Sequence, residues 1–253
     1  MDHMHSWVFD LSVRDLARKF RDRVIPNFMH LAKSRIRTCG ACQTRSLFLA
    51  LGDDSEFHVC MKCRANHRYE LIARYLREEF SDIESLDVLE LDDRSPLRMQ
   101  LSKARSYTRS FYRDGIERGS VREDGVVCQD ITKLTYADCS LDLIISSDVL
   151  EHVPDVGAAF RETYRVLRPG GAHVFTVPPR AATRQRARIE PGGIVHLEQP
   201  DYHHDPLSSE GILAFWDFGP EFPQVFSTRG LSIHAVLAPD GLEHRVVWEA
   251  RRI

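Results

Sequence analysis

From residue 86 onward the chain alternates short apolar runs with amphipathic stretches. Strand-like runs fall at 87–91, 106–112, 126–128, 141–147, 172–177, 231–237 and 244–250, with helical spacing at 96–105, 155–167 and either 207–215 or 220–229. "LDLIIS" and "HVFTV" are short and dense in β-formers, as strands buried on both faces are. Strands alternating with helices predict an α/β fold with a doubly wound, mostly parallel sheet of seven strands. Upstream, "ANHRYELIARYLREEF" places Leu71, Ile72, Tyr75, Leu76 and Phe80 on one helical face, which reads as a docking face between an N-terminal segment and the main domain. Residues 10–34 carry Leu11, Leu16, Phe20 and Val24 among charges and suggest an amphipathic helix interrupted near Pro26.

Four of the six cysteines change this picture. "CGAC" (39–42) and "CMKC" (60–63) are two Cys-x-x-Cys knuckles separated by 17 residues, a spacing that lets Cys39, Cys42, Cys60 and Cys63 complete a tetrahedron around one structural Zn2+. Two disulfides or a redox dithiol are the competing readings. A cytoplasmic chain disfavours the first, and the second lacks a strand-to-helix junction at either pair. His58 and His67 lie close enough in sequence to substitute as ligands. The organisation predicted is a helical segment over 1–37, a zinc ribbon and linking helix over 38–80, and a main domain over 81–253 with an insertion at about 180–210.

Composition adds limits. At 253 residues and 43% hydrophobic content a packed core is expected. "MDHMHSWVFD" has early acid and no apolar core of a secretory signal, and no apolar run approaches membrane-spanning length, so a cytoplasmic protein without membrane association is expected. Residues 1–78 hold 14 Lys/Arg against 9 Asp/Glu, and the remainder 20 against 28. A solvated helix face accounts for the basic front as well as an acidic partner would, and without an aromatic-interleaved basic patch nucleic acid is not the expected partner.

In an open α/β sheet ligands bind beyond the carboxyl ends of the strands. The polar residues there are Asp92 and Asp93 after the first strand, Phe111 and Tyr112 at the second, Asp130 after the third, and Ser146, Ser147 and Asp148 at the fourth. The segment 130–179 contains "SSDVLEHVPD", an amphipathic helix and "YRVLRPGG" turning into a strand, with Pro169, Gly170 and Gly171 as helix stop and turn. These features resemble the class I S-adenosylmethionine-dependent methyltransferases, the group with Leu-Glu-His-Val after the fourth strand. The resemblance is good over about 90 residues and looser over 86–250. It implies a Rossmann-like methyltransferase sheet and S-adenosyl-L-methionine as cofactor. It also implies that Asp130 receives the adenine amino group, that the Ile131 N–H faces a ring nitrogen, and that Ser147 and Asp148 flank the methionine and the acceptor.

A narrower resemblance is to bacterial methyltransferases with a four-cysteine ribbon, a first strand ending in Ala-Pro-Glu and a late Tyr-His-Gly-Asp-Pro element. Here "LDD" holds the first position and "YHHDP" (202–206) the second. That implies a cofactor edge at Glu90, Leu91, Asp92 and Asp93. Two departures stand out: no glycine lies between Gly52 and Gly115, and the second strand ends in Phe111 and Tyr112 where an acid normally meets the ribose. Asp93 or Asp114 would substitute, with an aromatic stacking on adenine; a solvated turn capped by Ser95 is the plainer reading of Asp92 and Asp93.

His152 and His203 are the candidate general bases, His152 having a helix-capping or structural role as its alternative. His196, Tyr202, His204 and Asp205 are candidate acceptor-binding residues in an insertion long enough to serve as a substrate lid. A second metal held by His196, His203, His204 and Asp205 has no recognised spacing behind it. The arginines at 180–188 read as an anion contact for the acceptor or as a solvated loop. The function expected from the resemblance is methyl transfer to an oxygen or nitrogen of a small-molecule acceptor, a saccharide or specialised metabolite. The rivals are a methyltransferase-like binding module that has lost its cofactor and an RNA or protein methyltransferase. The oligomeric state is not legible.

Overall fold

The computed structural model describes residues 21, 25, 27–203, 211–237 and 246–253. Two compact units are present, one of Met1–Cys39 with Gln43–His67 and one of Gly40–Cys42 with Arg68–Ile253. Most of the amphipathic helix expected over 10–34 lies outside the described residues; within its span Phe28–Lys33 is a 3-10 helix with no buried residue.

In the smaller unit β1 (Arg35–Thr38), β2 (Arg45–Ala50) and β3 (His58–Cys60) form an antiparallel sheet in the order β1-β2-β3. Among the described residues its interior is small: Phe48 and Ala50 are buried on β2, while β1 is exposed at every position. So little buried apolar surface cannot by itself offset the entropy of ordering the chain, which is the circumstance in which small folds rely on a cross-link or a metal.

The larger unit opens with α1 (His67–Glu79) and continues through β4 (Asp87–Glu90), α2 (Arg98–Leu101), β5 (Ser106–Phe111), β6 (Val127–Cys128), β7 (Leu141–Ser147), α3 (Val156–Val166) and β8 (Leu167–Thr176). The insertion follows, as β9 (Arg184–Gln185), β10 (Ala187–Glu190), β11 (Gly193–His196), β12 (Tyr202–His203), β13 (Ile212–Leu213) and β14 (Trp216–Asp217). The chain ends with α4 (Phe222–Phe226), β15 (Leu231–Leu237) and β16 (Val247–Arg252). The seven-stranded sheet has the order β15-β16-β8-β7-β4-β5-β6. Its β4/β5, β5/β6, β4/β7 and β7/β8 pairs are parallel, and β16 and β15 complete it antiparallel. This is the mostly parallel, Rossmann-like arrangement the alternating pattern predicted.

Both faces are covered. On one, Leu71, Ile72, Tyr75 and Leu76 of α1 pack with Val88, Leu143, Ile145 and Val174, so the apolar stripe of α1 is core of this unit. On the other, Phe160 of α3 and Phe222 of α4 pack with Phe175, Ile233 and Ala250, while Leu89 and Ile144 face Val166 and Leu167.

One expectation is corrected, and one open choice is resolved. Strand β8 begins at Leu167, not 172, so Pro169, Gly170 and Gly171 lie inside it. They form an irregularity in the β7–β8 pairing, where the register jumps from Leu141↔Leu167 to Leu143↔Ala172. Gly170 has φ +81°, and a Cβ on Gly171 would sit 2.9 Å from the Arg168 carbonyl oxygen and 3.0 Å from that of Asp142, so the glycines serve a bulge where backbone meets backbone. The helix considered at 207–215 is not formed at Ile212–Leu213, which pairs with Tyr202–His203; residues 207–210 lie outside the described residues. Helix α4 realises the other option within 220–229.

Glu90 closes β4 at 1% exposure and accepts a hydrogen bond from the Tyr107 hydroxyl on β5. Burial pushes its carboxyl up to about 8, so the folded state holds a proton that the unfolded chain, near 4.5, has released. Stability should therefore fall as pH rises through the window between those values, by up to about 1.4 kcal/mol per pH unit. Urea denaturation at pH 5 and pH 8 measures this, and Glu90→Gln should flatten the dependence; an unchanged slope in the variant would refute the assignment.

Candidate functional site

The chain runs outward from β4 to β5 and β6, then returns to place β7 on β4's other side, so the strand order reverses between β4 and β7. The crevice beyond these two strands is where Leu91, Asp92, Ser147 and Asp148 emerge. The Leu91 N–H donates to the Ile145 carbonyl at 2.8 Å, which carries the pairing one residue past β4. Asp92 then turns: one carboxylate oxygen accepts from the Arg94 N–H at 2.7 Å and the other from the Tyr69 hydroxyl. Asp148 sits at φ +53° and forms an ion pair with Arg68, while its other oxygen accepts from the Thr176 hydroxyl at 2.9 Å. Arg68 and Tyr69, adjacent in the first turn of α1, thus reach acids on both sides of the switch point. Burial, with Asp92 beside it, holds the Tyr69 hydroxyl well above its ordinary pKa. Sequence reasoning saw only the apolar stripe of this helix; the polar Arg-Tyr pair just before the stripe was the signal it passed over.

The other predicted cofactor residues line the same edge with partners of their own. The Asp93 carboxylate pairs with Arg122 at 2.8 Å, and its carbonyl accepts from Arg109 at 3.0 Å. The Arg122 guanidinium lies 5.0 Å from the Phe111 ring centre. A ribose contact by Asp93 would therefore compete with Arg122. Tyr112 is exposed and donates to Asp114 at 2.5 Å, a bond that pushes its hydroxyl up to about 12. Asp130 closes an Asx turn, one oxygen accepting from the Thr132 N–H at 2.8 Å and its hydroxyl at 2.6 Å, with Arg118 3.6 Å from the other. Ile131 is buried, and the Ser147 hydroxyl lies 3.2 Å from that of Thr176. Glu90 is turned into the core toward Tyr107, a partner no sequence spacing announces.

Beyond β7 a 3-10 turn at Leu150–His152 places Glu151 and His152 beside His203 of β12. The Phe215 N–H donates to the Glu151 carbonyl at 2.7 Å, and His152 Nδ1 meets the Leu213 carbonyl at 2.9 Å, so the strand pairing of the insertion holds the cluster together. The imidazoles of His152 and His203 stand edge to face with ring centres 4.9 Å apart. Glu151 Oε1 lies 3.7 Å from His152 Nε2 and 3.6 Å from His203 Nδ1. The Glu151 carboxylate beside His203 raises that imidazole's pKa. Glu151 was not among the sequence candidates, although it precedes His152 in "LEHV".

His196 is exposed at the end of the β10–β11 hairpin and Tyr202 is exposed on β12, while His204 and Asp205 lie outside the described residues. The only groups among the described residues able to hold a metal are the four cysteines and Glu151 with His152 and His203; His196 belongs to neither. The arginines of the insertion are engaged internally. Asp217, 3% exposed, takes Arg184 at 2.8 Å, Arg186 at 2.9 Å and Arg180 at 3.4 Å, and Arg188 pairs with Glu190. Tertiary pairing thus answers the choice between an anion contact and a solvated loop with a third role, folding the insertion.

The Sγ atoms of Cys39, Cys42, Cys60 and Cys63 lie within 4.8 Å of one another, and Cys39 and Cys63 are 3.6 Å apart. No disulfide joins any of the six cysteines. Four thiolates about 2.3 Å from a central zinc ion would stand roughly 3.8 Å apart along the edges of a tetrahedron, so the donor set fits the metal.

Residues 101–175 match the family model of the methyltransferase domain. The chain is similar to sarcosine/dimethylglycine N-methyltransferase of Halorhodospira halochloris, 34% identical over 95 residues that cover 35% of this chain and 34% of that protein. It is also similar to 27-O-demethylrifamycin SV methyltransferase of Amycolatopsis mediterranei, 32% identical over 99 residues covering 36% of each. It thus spans about a third of the length of these relatives. Among solved structures, the 1,6-didemethyltoxoflavin-N1-methyltransferase of Burkholderia thailandensis with bound S-adenosylhomocysteine aligns with TM-score 0.46 at 14% identity, over 70% of this chain and 75% of that one. The family match is confined to the segment from Leu101 through Phe175.

Proposed function

We propose that this chain transfers the methyl group of S-adenosyl-L-methionine to an oxygen or nitrogen of a small-molecule acceptor. The observation that carries this reading is the methyltransferase-domain match over residues 101–175, which includes β7, one of the two strands that flank the switch-point crevice. The side chains there suit the cofactor's chemistry. Its ammonium, ribose hydroxyls and adenine amine are hydrogen-bond donors, and Asp92, Asp130 and Asp148 present carboxylates around the crevice. Asp130 with the Ile131 N–H would hold the adenine, Asp93 or Asp114 the ribose, and Ser147 with Asp148 the methionine end; Phe111 or Tyr112 would stack on the base. The bound cofactor supplies an electrophilic methyl on sulfonium, and the chain contributes position by holding the acceptor in line with it. His203, kept basic by Glu151, stands on the same edge to take the acceptor's proton.

One observation favours a second reading, a methyltransferase-like binding module without cofactor: Asp92 and Asp148 are already engaged by Tyr69 and Arg68 of the same chain. Calorimetric titration with S-adenosylhomocysteine separates the two. Saturable binding is expected, weakened about tenfold or more in Asp130→Ala, in line with a lost hydrogen bond to a charged group. Absence of binding at millimolar ligand would overturn the enzyme reading.

The four-cysteine cluster supports one structural zinc ion, completing a unit whose own core is small. Elemental analysis should give about one zinc bound by thiolate per chain. Cys60→Ser should lose it and melt at lower temperature, whereas unchanged metal content would refute the site. No helix among the described residues is long and apolar enough to cross a membrane.

A further inference from the structure

We propose that Glu151, His152 and His203 form a second metal site, one that takes a divalent transition-metal ion and leaves a coordination position open. The proposal deepens the methyl-transfer reading and rests on it only for its chemical consequence, not for the site itself.

Four observations carry it. The first is a buried carboxyl that faces two imidazoles without a hydrogen bond to either: Glu151 is 1% exposed, and neither Oε1 nor Oε2 has a hydrogen-bond partner. A carboxylate in that position costs several kcal/mol unless a cation or donor compensates it. The second is spacing. Oε1 stands 3.7 Å from His152 Nε2 and 3.6 Å from His203 Nδ1, too far for hydrogen bonds. Two donors each about 2.1 Å from one ion at a tetrahedral angle are separated by roughly 3.4 Å, so these gaps are the span across a metal.

The third is tautomer. His152 Nδ1 lies 2.9 Å from the Leu213 carbonyl, an acceptor only, so Nδ1 carries the proton and the Nε2 lone pair is left facing Glu151. The fourth is the outer shell. His203 turns Nδ1 toward Glu151 and Nε2 toward Asp201 at 3.8 Å, and Asp201 is itself held by Arg180 at 2.7 Å. A carbonyl bonded behind the imidazole, as Leu213 is behind His152, orients metal-bound histidines, and Asp201 stands on the outer side of His203 without a hydrogen bond to it.

Two imidazoles and one carboxylate suit zinc and its first-row neighbours and are a poor set for magnesium or calcium. Three protein ligands leave a position free, and the side chains of His152 and His203 retain 17% and 25% exposure, so that position opens outward. On the methyl-transfer reading it receives an acceptor hydroxyl. A metal held there would lower the hydroxyl's pKa so that its proton passes to solvent, with His203 serving as ligand in place of the base it would provide in the metal-free chain. The oxygen then forms a bond to the sulfonium methyl carbon as the carbon–sulfur bond breaks, with the electron pair left on sulfur as S-adenosylhomocysteine departs.

The test is titration of metal-stripped full-length protein with Co2+ alone, followed by absorption spectroscopy. The four-cysteine site should show sulfur-to-cobalt charge transfer, and a second equivalent should add ligand-field bands without it. Glu151→Gln and His203→Ala should each lose that second equivalent and keep the first, while Cys60→Ser should do the reverse. Asp201→Asn should weaken the second equivalent about ten- to hundredfold. His203 lies on a two-residue strand at the surface, so its variant tests the site even where Glu151→Gln does not fold. Saturation of the wild type at one thiolate-type equivalent, or a second equivalent that survives in His203→Ala, would overturn the proposal. Because no cofactor is added, this outcome is independent of S-adenosylhomocysteine binding by metal-free protein, on which the methyl-transfer reading stands or falls.

Discussion

Strand β7 is buried on both faces, and much of the larger unit depends on how the chain leaves it. Leu143 and Ile145 pack against the α1 side while Ile144 packs against the α3 side, and the polar Ser146 buried beside them is bonded to the buried His173 at 2.8 Å. Where the strand clears the core, four polar positions follow within six residues: Ser147, Asp148, Glu151 and His152. Asp148 turns at φ +53°, and the 3-10 turn after it delivers Glu151 and His152 to the rim. The sheet pairs the polar groups it buries and leaves the cluster beyond β7 to the rim, where the irregular residues set its orientation.

Charge satisfaction organises that rim. Asp92, Asp93, Asp130 and Asp148 each meet a donor or cation of the chain: Tyr69, Arg122, Thr132 with Arg118, and Arg68. In an edge without glycine, where the backbone cannot come as close to a ligand, side-chain carboxylates are the groups left to meet a donor-rich cofactor. Glu151 is the exception in this setting. Its backbone carbonyl is bonded to Phe215, but its carboxylate faces only the two imidazoles. A buried acid with two histidines before it and no hydrogen bond is a different chemical object from the paired acids beside it.

Particular elements show how far the sequence could be read. The runs at 141–147 and 231–237 were legible to the residue because their β-formers are contiguous and flanked by breakers. The start of β8 was not, since Pro169-Gly170-Gly171 looks like a helix stop until the bulge against Asp142 is seen. The four-cysteine cluster was legible because both knuckles are local patterns and only their meeting is tertiary. Glu151, Arg68 and Tyr69 were missed for the opposite reason: their partners lie tens of residues away, at His203, Asp148 and Asp92.

What the sequence determined by itself is whatever depends on neighbours in the chain: the order of strands and helices, the burial of the central strands, the paired cysteines, and the set of polar residues at the strand ends. Periodicity and spacing are short-range properties, and a single chain displays them. Only the tertiary structure decided which of those polar residues face one another, because ion pairs and buried carboxylates are settled by the geometry of the whole sheet. His203 meets Glu151 because β12 pairs with β13, and Asp148 meets Arg68 because α1 packs along the sheet beneath it.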